Sequence, residues 1–217
     1  MSSRRVKVVA TTTIVADLVR SVGRERVDVQ TLMAPGVDPH AYRATPADLA
    51  SFEEADIIFY NGLGLEARLE PGLEGLETRA VPHAVARGIE PVDGDPHVWH
   101  DVSLWRRAAR QVRDDLIERD RANETVYREN ATRYDAQLVE LDRWVRRRVA
   151  RVPARERIVV APHPGFGYFA RAYGFRVRRG QSDLLTDWLG KPGSFAETYL
   201  GMVRSNVEAI LSRSAGR

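Results

Sequence analysis

Apolar positions along the first hundred residues switch repeatedly between strand-like and helix-like spacing. The stretch VKVVAT, over roughly residues 7–11, is rich in β-branched residues and reads as a strand; Ile14, Leu18 and Val22 then recur at helical spacing until Gly23 stops the run. RVDVQTLM alternates apolar and polar residues, as a half-buried strand does. Thr45-Pro46-Ala47-Asp48 supplies an N-cap, a proline at the first helical position and an acid at the third, so PADLASFEEA is predicted to be a helix. DIIFYN is a short apolar strand ending at Asn61-Gly62, and a weaker repeat of the same pattern continues to about Val92. A βα repeat of this kind implies an α/β fold with a mainly parallel sheet covered by helices.

The middle of the chain changes character. SLWRRAARQVRDDLIERD carries Leu104, Ala108, Val112 and Leu116 on one stripe, and a second helix places Tyr127, Ala131, Tyr134, Leu138, Leu141, Val145 and Val149 on one face. That second helix is long enough to cross a domain boundary, and Pro153 ends it. A second βα segment follows: RIVVAP as a strand, GFGYFARAYG as a helix and FRV as the start of another strand. RRGQSDLLTDWLGKPG is loop-like, and Ser194 with Glu197 predicts a capping box for a last helix bearing Tyr199, Met202, Val203, Val207, Ile210 and Leu211. This is a thin second domain, because a complete sheet needs more strands.

Composition narrows the class. The chain has 217 residues, 43% hydrophobic and 29% charged, the balance of a soluble globular protein. Its net charge is only +3, and acidic residues accompany the arginines along most helical stretches, so these read as solvated helix faces and not as a nucleic-acid patch. There is no cysteine, which leaves His, Asp and Glu to hold any metal. No window approaches the about 18 apolar residues of a membrane span. The N-terminal MSSRRVKVVATTTIVADLV has its apolar run broken by threonines and Asp17, so a signal segment is not expected within this chain and a mature or trimmed start is.

The chemistry concentrates in histidines. Asp-Pro-His occurs twice, at Asp38-Pro39-His40 and Asp95-Pro96-His97, and His163 stands in VVAPHPGFGYF. All three histidines lie just past predicted strands or in connecting loops, where open α/β sheets place their ligands. The proline fixes one backbone torsion and holds the preceding aspartate extended, so each imidazole sits on a stiff loop. Three neutral imidazoles suit zinc, with a carboxylate or water as the fourth ligand. His83 and His100 lack that setting and read as structural, His100 being placed at most behind the ligands.

The blocks VVATTTIVADLVRSVG, LMAPGVDPHAYRATPADL, ADIIFYNGLGLE, GDPHVWHDV, NETVYRENATRYDAQLVELD, HPGFGYFARAYGF and LTDWLGKPGSFAETYLGMVRSNVEAI occur here in order. Over nearly its whole length the chain thereby resembles the periplasmic or lipoprotein substrate-binding proteins of zinc and manganese ABC importers, the cluster 9 or A-I type. The resemblance implies metal ligands at His40, His97, His163 and Asp187, with the ion between two βα lobes joined by one long helix. It divides the chain into an N-terminal metal-binding lobe (1–120), a linking helix (121–152) and a shortened C-terminal lobe (153–217). Between YGFRV and LTDWLG only RRGQSDL remains, so at roughly 30 residues per unit about two βα units of the family pattern are absent. The reach of Asp187 to the histidines is therefore for the structure to decide.

The implied function is an extracytoplasmic solute-binding protein, expected to be monomeric, that takes a divalent metal ion to a membrane ABC permease without covalent chemistry or nucleic acid. Three imidazoles and one carboxylate favour Zn2+ over Mn2+, since manganese sites prefer more carboxylate; the His-rich loop of many zinc-specific members is absent. A truncated remnant or a metal-sequestering or adhesive protein is the alternative reading. A zinc hydrolase is a further one, and it lacks an obvious general base.

Overall fold

The computed structural model describes residues 4–74 and 80–215. Four strands, β1 (Val6–Ala10), β2 (Val27–Thr31), β3 (Ile57–Tyr60) and β4 (Val81–Ala84), form a parallel sheet in the order β2-β1-β3-β4. Helices α1 (Thr13–Gly23), α2 (Pro46–Glu54) and the short α3 (Glu70–Glu74) connect them. The order reverses direction at β1, so loops leaving β1 and β3 diverge and open a crevice at the carboxyl ends of the strands.

Local chemistry accounts for these elements. Thr12 starts α1 by accepting the Val15 N–H at 3.2 Å, and the helix buries Ile14, Val15, Leu18, Val19 and Val22. Gly23 closes it for a packing reason, since a Cβ there would lie 2.4 Å from Val27 on β2. The capping box at Thr45 is formed as expected: the Asp48 carboxylate accepts the Thr45 N–H at 2.7 Å and Thr45 Oγ1 accepts the Asp48 N–H at 3.3 Å.

Helix α4 (Val102–Arg119) packs against the 26-residue α5 (Glu124–Val149), and Arg106 clamps Asp135 through two hydrogen bonds of 2.7 and 2.8 Å. All seven apolar residues expected on the inner face of α5 are buried. At about 1.5 Å per residue the helix is about 39 Å long, and its face runs through one continuous core. That core holds Leu18 and Val8 at one end and Val159, Phe169 and Val207 at the other. A smaller cluster around Val9, Met33, Phe52 and Ile58 fills the opposite face of the first sheet.

After α5, β5 (Ile158–Ala161) and β6 (Arg176–Arg179) form a parallel pair around α6 (Gly167–Tyr173). Among the described residues this second sheet has only these two strands, as the thin second segment of the sequence implies. The last helix, α7 (Tyr199–Ala215), does not start as expected. Ser194 makes no capping bond, residues Phe195–Glu197 form a single 3-10 turn, and Glu197 instead accepts the Gly193 N–H at 2.6 Å. The turn closes over Gly201, where a Cβ would collide with the Phe195 carbonyl. The helix therefore begins after it, with Thr198 accepting the Gly201 N–H and Asp17 of α1 accepting the Tyr199 N–H. No helix among the described residues is long and apolar enough to cross a membrane.

Candidate metal centre

The repeated Asp-Pro-His tripeptide builds the same turn twice. Asp38 Oδ1 accepts the His40 N–H at 2.9 Å, and Asp95 Oδ1 accepts the His97 N–H at 2.9 Å. An aspartate bonding to the backbone two residues on is a self-contained turn, and the intervening proline has no N–H to compete. The two turns then diverge. Asp95 Oδ1 also lies 2.6 Å from His97 Nδ1, while its Oδ2 accepts the Gly167 N–H at 3.1 Å. A carboxylate only accepts, so Nδ1 of neutral His97 carries the proton and Nε2 presents a bare lone pair inward.

The four residues singled out by sequence converge there. His40 Nε2 and His97 Nε2 are 3.2 Å apart; Asp187 Oδ1 lies 2.9 Å from His97 Nε2 and 3.8 Å from His40 Nε2; Asp187 Oδ2 lies 2.8 Å from His163 Nε2. One donor atom from each of the four falls within 4.8 Å of all the others. His97 and Asp187 are buried, whereas the side chains of His40 and His163 are 38% and 33% exposed, so the cluster is accessible from one side. That side is a cavity of about 750 Å³ whose wall includes Asp38, Pro162, Ser182 and Trp188.

Asp187 reaches the histidines because its loop is tied down from three directions. Trp99 Nε1 donates to the Thr186 carbonyl at 2.9 Å; Asn206 of α7 accepts from Leu185 N and donates to Leu185 O at 2.9 and 2.7 Å; and Leu189 N donates to Thr13 Oγ1 of α1 at 2.8 Å. None of these anchors belongs to the second sheet. Its small size therefore leaves the fourth group in place.

Electrostatics sharpen the arrangement. Burial opposes ionisation of Asp187, yet its contacts with His163, His40 and His97 hold the carboxyl well below the usual carboxylate range. Burial likewise disfavours a charged His97, but Asp187 and Asp95 outweigh it and raise the imidazole pKa. With Nδ1–H given to Asp95, the lone pair of neutral His97 Nε2 faces a carboxylate oxygen that has no hydrogen-bond donor of its own. Only a cation, a proton or a metal ion, relieves that opposition. The donor set thus fits a divalent ion with mixed imidazole and carboxylate preference.

The other two histidines stand apart, as their sequence setting suggests. His100 is buried and stacked on Phe166 at 4.1 Å, and burial together with the nearby His97 pushes its pKa down to about 3. It is neutral and sits behind His97. His83 lies 3.1 Å from Asp115 of α4, which Arg87 at 3.1 Å and Gln111 at 2.9 Å also contact, and it is not among the clustered donors. Sequence reasoning did not identify Asp95 as the residue orienting His97, although the aspartates of the two tripeptides were in view. It also missed Asn61, whose side chain donates to the Pro96 carbonyl at 3.0 Å and steadies the loop that carries His97.

Comparison with known proteins gives a consistent picture. Residues 8–182 match the family described as zinc-uptake complex component A, periplasmic (ZnuA). The manganese-binding lipoprotein MntA of Bacillus subtilis is 34% identical over 195 residues, covering 86% of this chain and 63% of that protein. The zinc-binding protein TroA of Treponema pallidum is 36% identical over 179 residues, covering 79% of this chain and 58% of that protein. The chain thus spans about three fifths of the length of these two relatives. The solved structure of the periplasmic zinc-binding protein TroA superposes with a TM-score of 0.90 at 29% identity, covering 97% of this chain and 99% of that one.

Proposed function

The chain belongs to the family of the periplasmic zinc-uptake complex component A, and from that premise we propose that it captures a divalent transition metal outside the cytoplasmic membrane and passes it to an ABC permease. The observation that supports this reading best is the convergence of His40, His97, His163 and Asp187, one ligand atom from each lying within 4.8 Å of the others. His40 and His97 come from the first lobe, His163 from the loop after β5, and Asp187 from the loop before α7, so the ion joins the two βα units. We assign residues 1–120 to the metal-binding lobe, 121–152 to the linking helix and 153–217 to the shortened second lobe.

Capture follows from the donor chemistry. The ion enters from the exposed His40 and His163 side, and because a ligating imidazole must be free of its proton at the metal-facing nitrogen, affinity falls as pH is lowered. Three imidazole nitrogens and one oxygen favour zinc, and manganese is the second candidate, the metal named for the MntA relative. Four protein donors leave a four-coordinate ion no position for an activated water. The reading is therefore transport without catalysis.

Calorimetric titration of the metal-free protein with zinc and manganese tests it, using wild type and the single changes His40→Ala, His97→Ala, His163→Ala and Asp187→Ala. One ion should bind per chain, and each change should remove most of the affinity. Stoichiometric binding that survives any two of these changes separately would refute the assignment.

A further inference from the structure

Charge is distributed very unevenly along this chain. Between residues 143 and 182 there are eleven arginines and a single acid, Glu156, a net +10 with histidines neutral; the whole chain is only +3, so the remainder carries −7. The stretch builds the end of α5, then β5, α6 and β6. On α4 and the body of α5 arginines are largely neutralised by carboxylates, as in Arg106–Asp135, Arg128–Glu124 and Arg146–Asp142. On the second sheet they are not. Arg151, Arg176, Arg178 and Arg179 are exposed and have no carboxylate partner among the described residues.

These groups lie along one edge of the second sheet. Backbone pairing sets β6 beside β5, the Arg176 N–H donates to the Arg157 carbonyl at 2.9 Å, and the Arg176 guanidinium donates to the Arg155 carbonyl at 3.2 Å. Arg157 in turn donates to the Val152 carbonyl at 3.0 Å. The arginine-rich turn after α5 is thus laced to the outer strand. All four residues of β6 are exposed, with Val177 the one apolar side chain among them.

From this we propose that the outer strand of the second sheet, with the turn after α5, is a docking face for the phosphate headgroups of an anionic lipid surface. Guanidinium groups pair with phosphate oxygens through two parallel hydrogen bonds, and a cluster of unpaired cations of this size is drawn to an anionic bilayer within about a Debye length. Nucleic acid carries phosphates too, but single strands are held by stacking on exposed aromatic rings. This face offers none: Tyr168, Tyr173 and Phe175 are buried, and Trp144 is overlaid by Arg148 and Arg204. The proposal is independent of the metal site.

Vesicle co-sedimentation of the full chain tests it, comparing vesicles of roughly one-third phosphatidylglycerol in phosphatidylcholine with phosphatidylcholine alone at roughly 0.1 M salt. Binding to the anionic vesicles is expected to be at least about tenfold tighter and to weaken steeply with added salt. The quadruple variant Arg151→Gln/Arg176→Gln/Arg178→Gln/Arg179→Gln is expected to lose that preference while keeping wild-type zinc affinity, which reports an intact fold. Should it misfold, Arg178→Gln/Arg179→Gln, confined to the fully exposed strand, is expected to weaken vesicle binding about threefold. Equal partition to neutral and anionic vesicles, undiminished binding by the folded variants, or displacement of the protein from vesicles by equimolar duplex DNA would each overturn the proposal.

Discussion

Replacing Asp95 with asparagine separates two roles that the repeated tripeptide otherwise confounds. Asparagine preserves shape and one acceptor oxygen for the His97 N–H, its amide NH2 takes the place of the oxygen that accepts from Gly167 N–H, and it removes the charge opposite His97 Nδ1, 2.6 Å away. A hydrogen bond to a charged group contributes about 1.5–3 kcal/mol against about 0.5–1.5 for a neutral pair. With the Asp95 side chain only 10% exposed, solvent screens little of that difference. Losing the group behind a metal-bound histidine weakens binding by about 10–100-fold, which corresponds to about 1.4–2.7 kcal/mol. Zinc affinity of Asp95→Asn, read by competition against a fluorescent chelator, is expected to fall in that range. Asp38→Asn is the internal control. Asp38 has the same sequence context, but among the described residues its carboxylate accepts a hydrogen bond from the His40 backbone N–H alone, so its loss should stay below about threefold. Equal losses at the two positions, or an Asp95→Asn affinity within about twofold of wild type, would refute the claim that Asp95 aims the His97 lone pair.

Three further outcomes are expected. Asn206→Leu cuts both bonds that fix Leu185, and calorimetry should show metal affinity falling by at least about tenfold with α7 still helical by circular dichroism. Zinc at about 100 times its dissociation constant should raise stability by about 2.7 kcal/mol, read as a thermal midpoint about 5–11 °C higher, an increase abolished by His163→Ala. Glu66 is wholly buried among the Thr11 hydroxyl and the Asn61 and Gly62 N–H groups, and burial raises its pKa from 4.5 to about 7. Its proton is held more tightly in the folded state, so its contribution is complete below pH 4.5 and is lost as pH rises through 7, a change of about 3 kcal/mol in order of magnitude. The thermal midpoint of metal-free Glu66→Gln should therefore decline less between pH 5 and 8 than that of wild type, and identical slopes would contradict this.

Much of the fold was legible because local signals and packing agree. The Thr45 capping box, the seven-residue stripe of α5 and the apolar strands β1 and β3 each carry their own periodicity, and the structure buries the residues that periodicity selects. The start of α7 was misread for the opposite reason. Ser194 and Glu197 have the right spacing for a cap, but the long-range demand of Asp17 on the Tyr199 N–H and the close approach of the turn to Gly201 move the helix start past Thr198.

The metal cluster divides in the same way. Stiff Asp-Pro-His turns are local devices and could be read directly, whereas Asp187 was visible only through resemblance, because no spacing links it to the histidines. What brings it within 2.9 Å of His97 is a set of contacts from Trp99, Asn206 and Thr13, residues up to 176 positions apart in sequence from those they hold. Asp95 escaped notice because the sequence shows the same aspartate twice; only the structure distinguishes the one that reaches an imidazole ring.

The most direct test of the central claim is anomalous scattering from a crystal of the zinc-loaded protein, collected on both sides of the zinc edge. A single peak should lie within about 2.0–2.2 Å of His40 Nε2, His97 Nε2, His163 Nε2 and an Asp187 oxygen. A peak bound by only one of these histidines, or zinc located away from this crevice, would contradict the account.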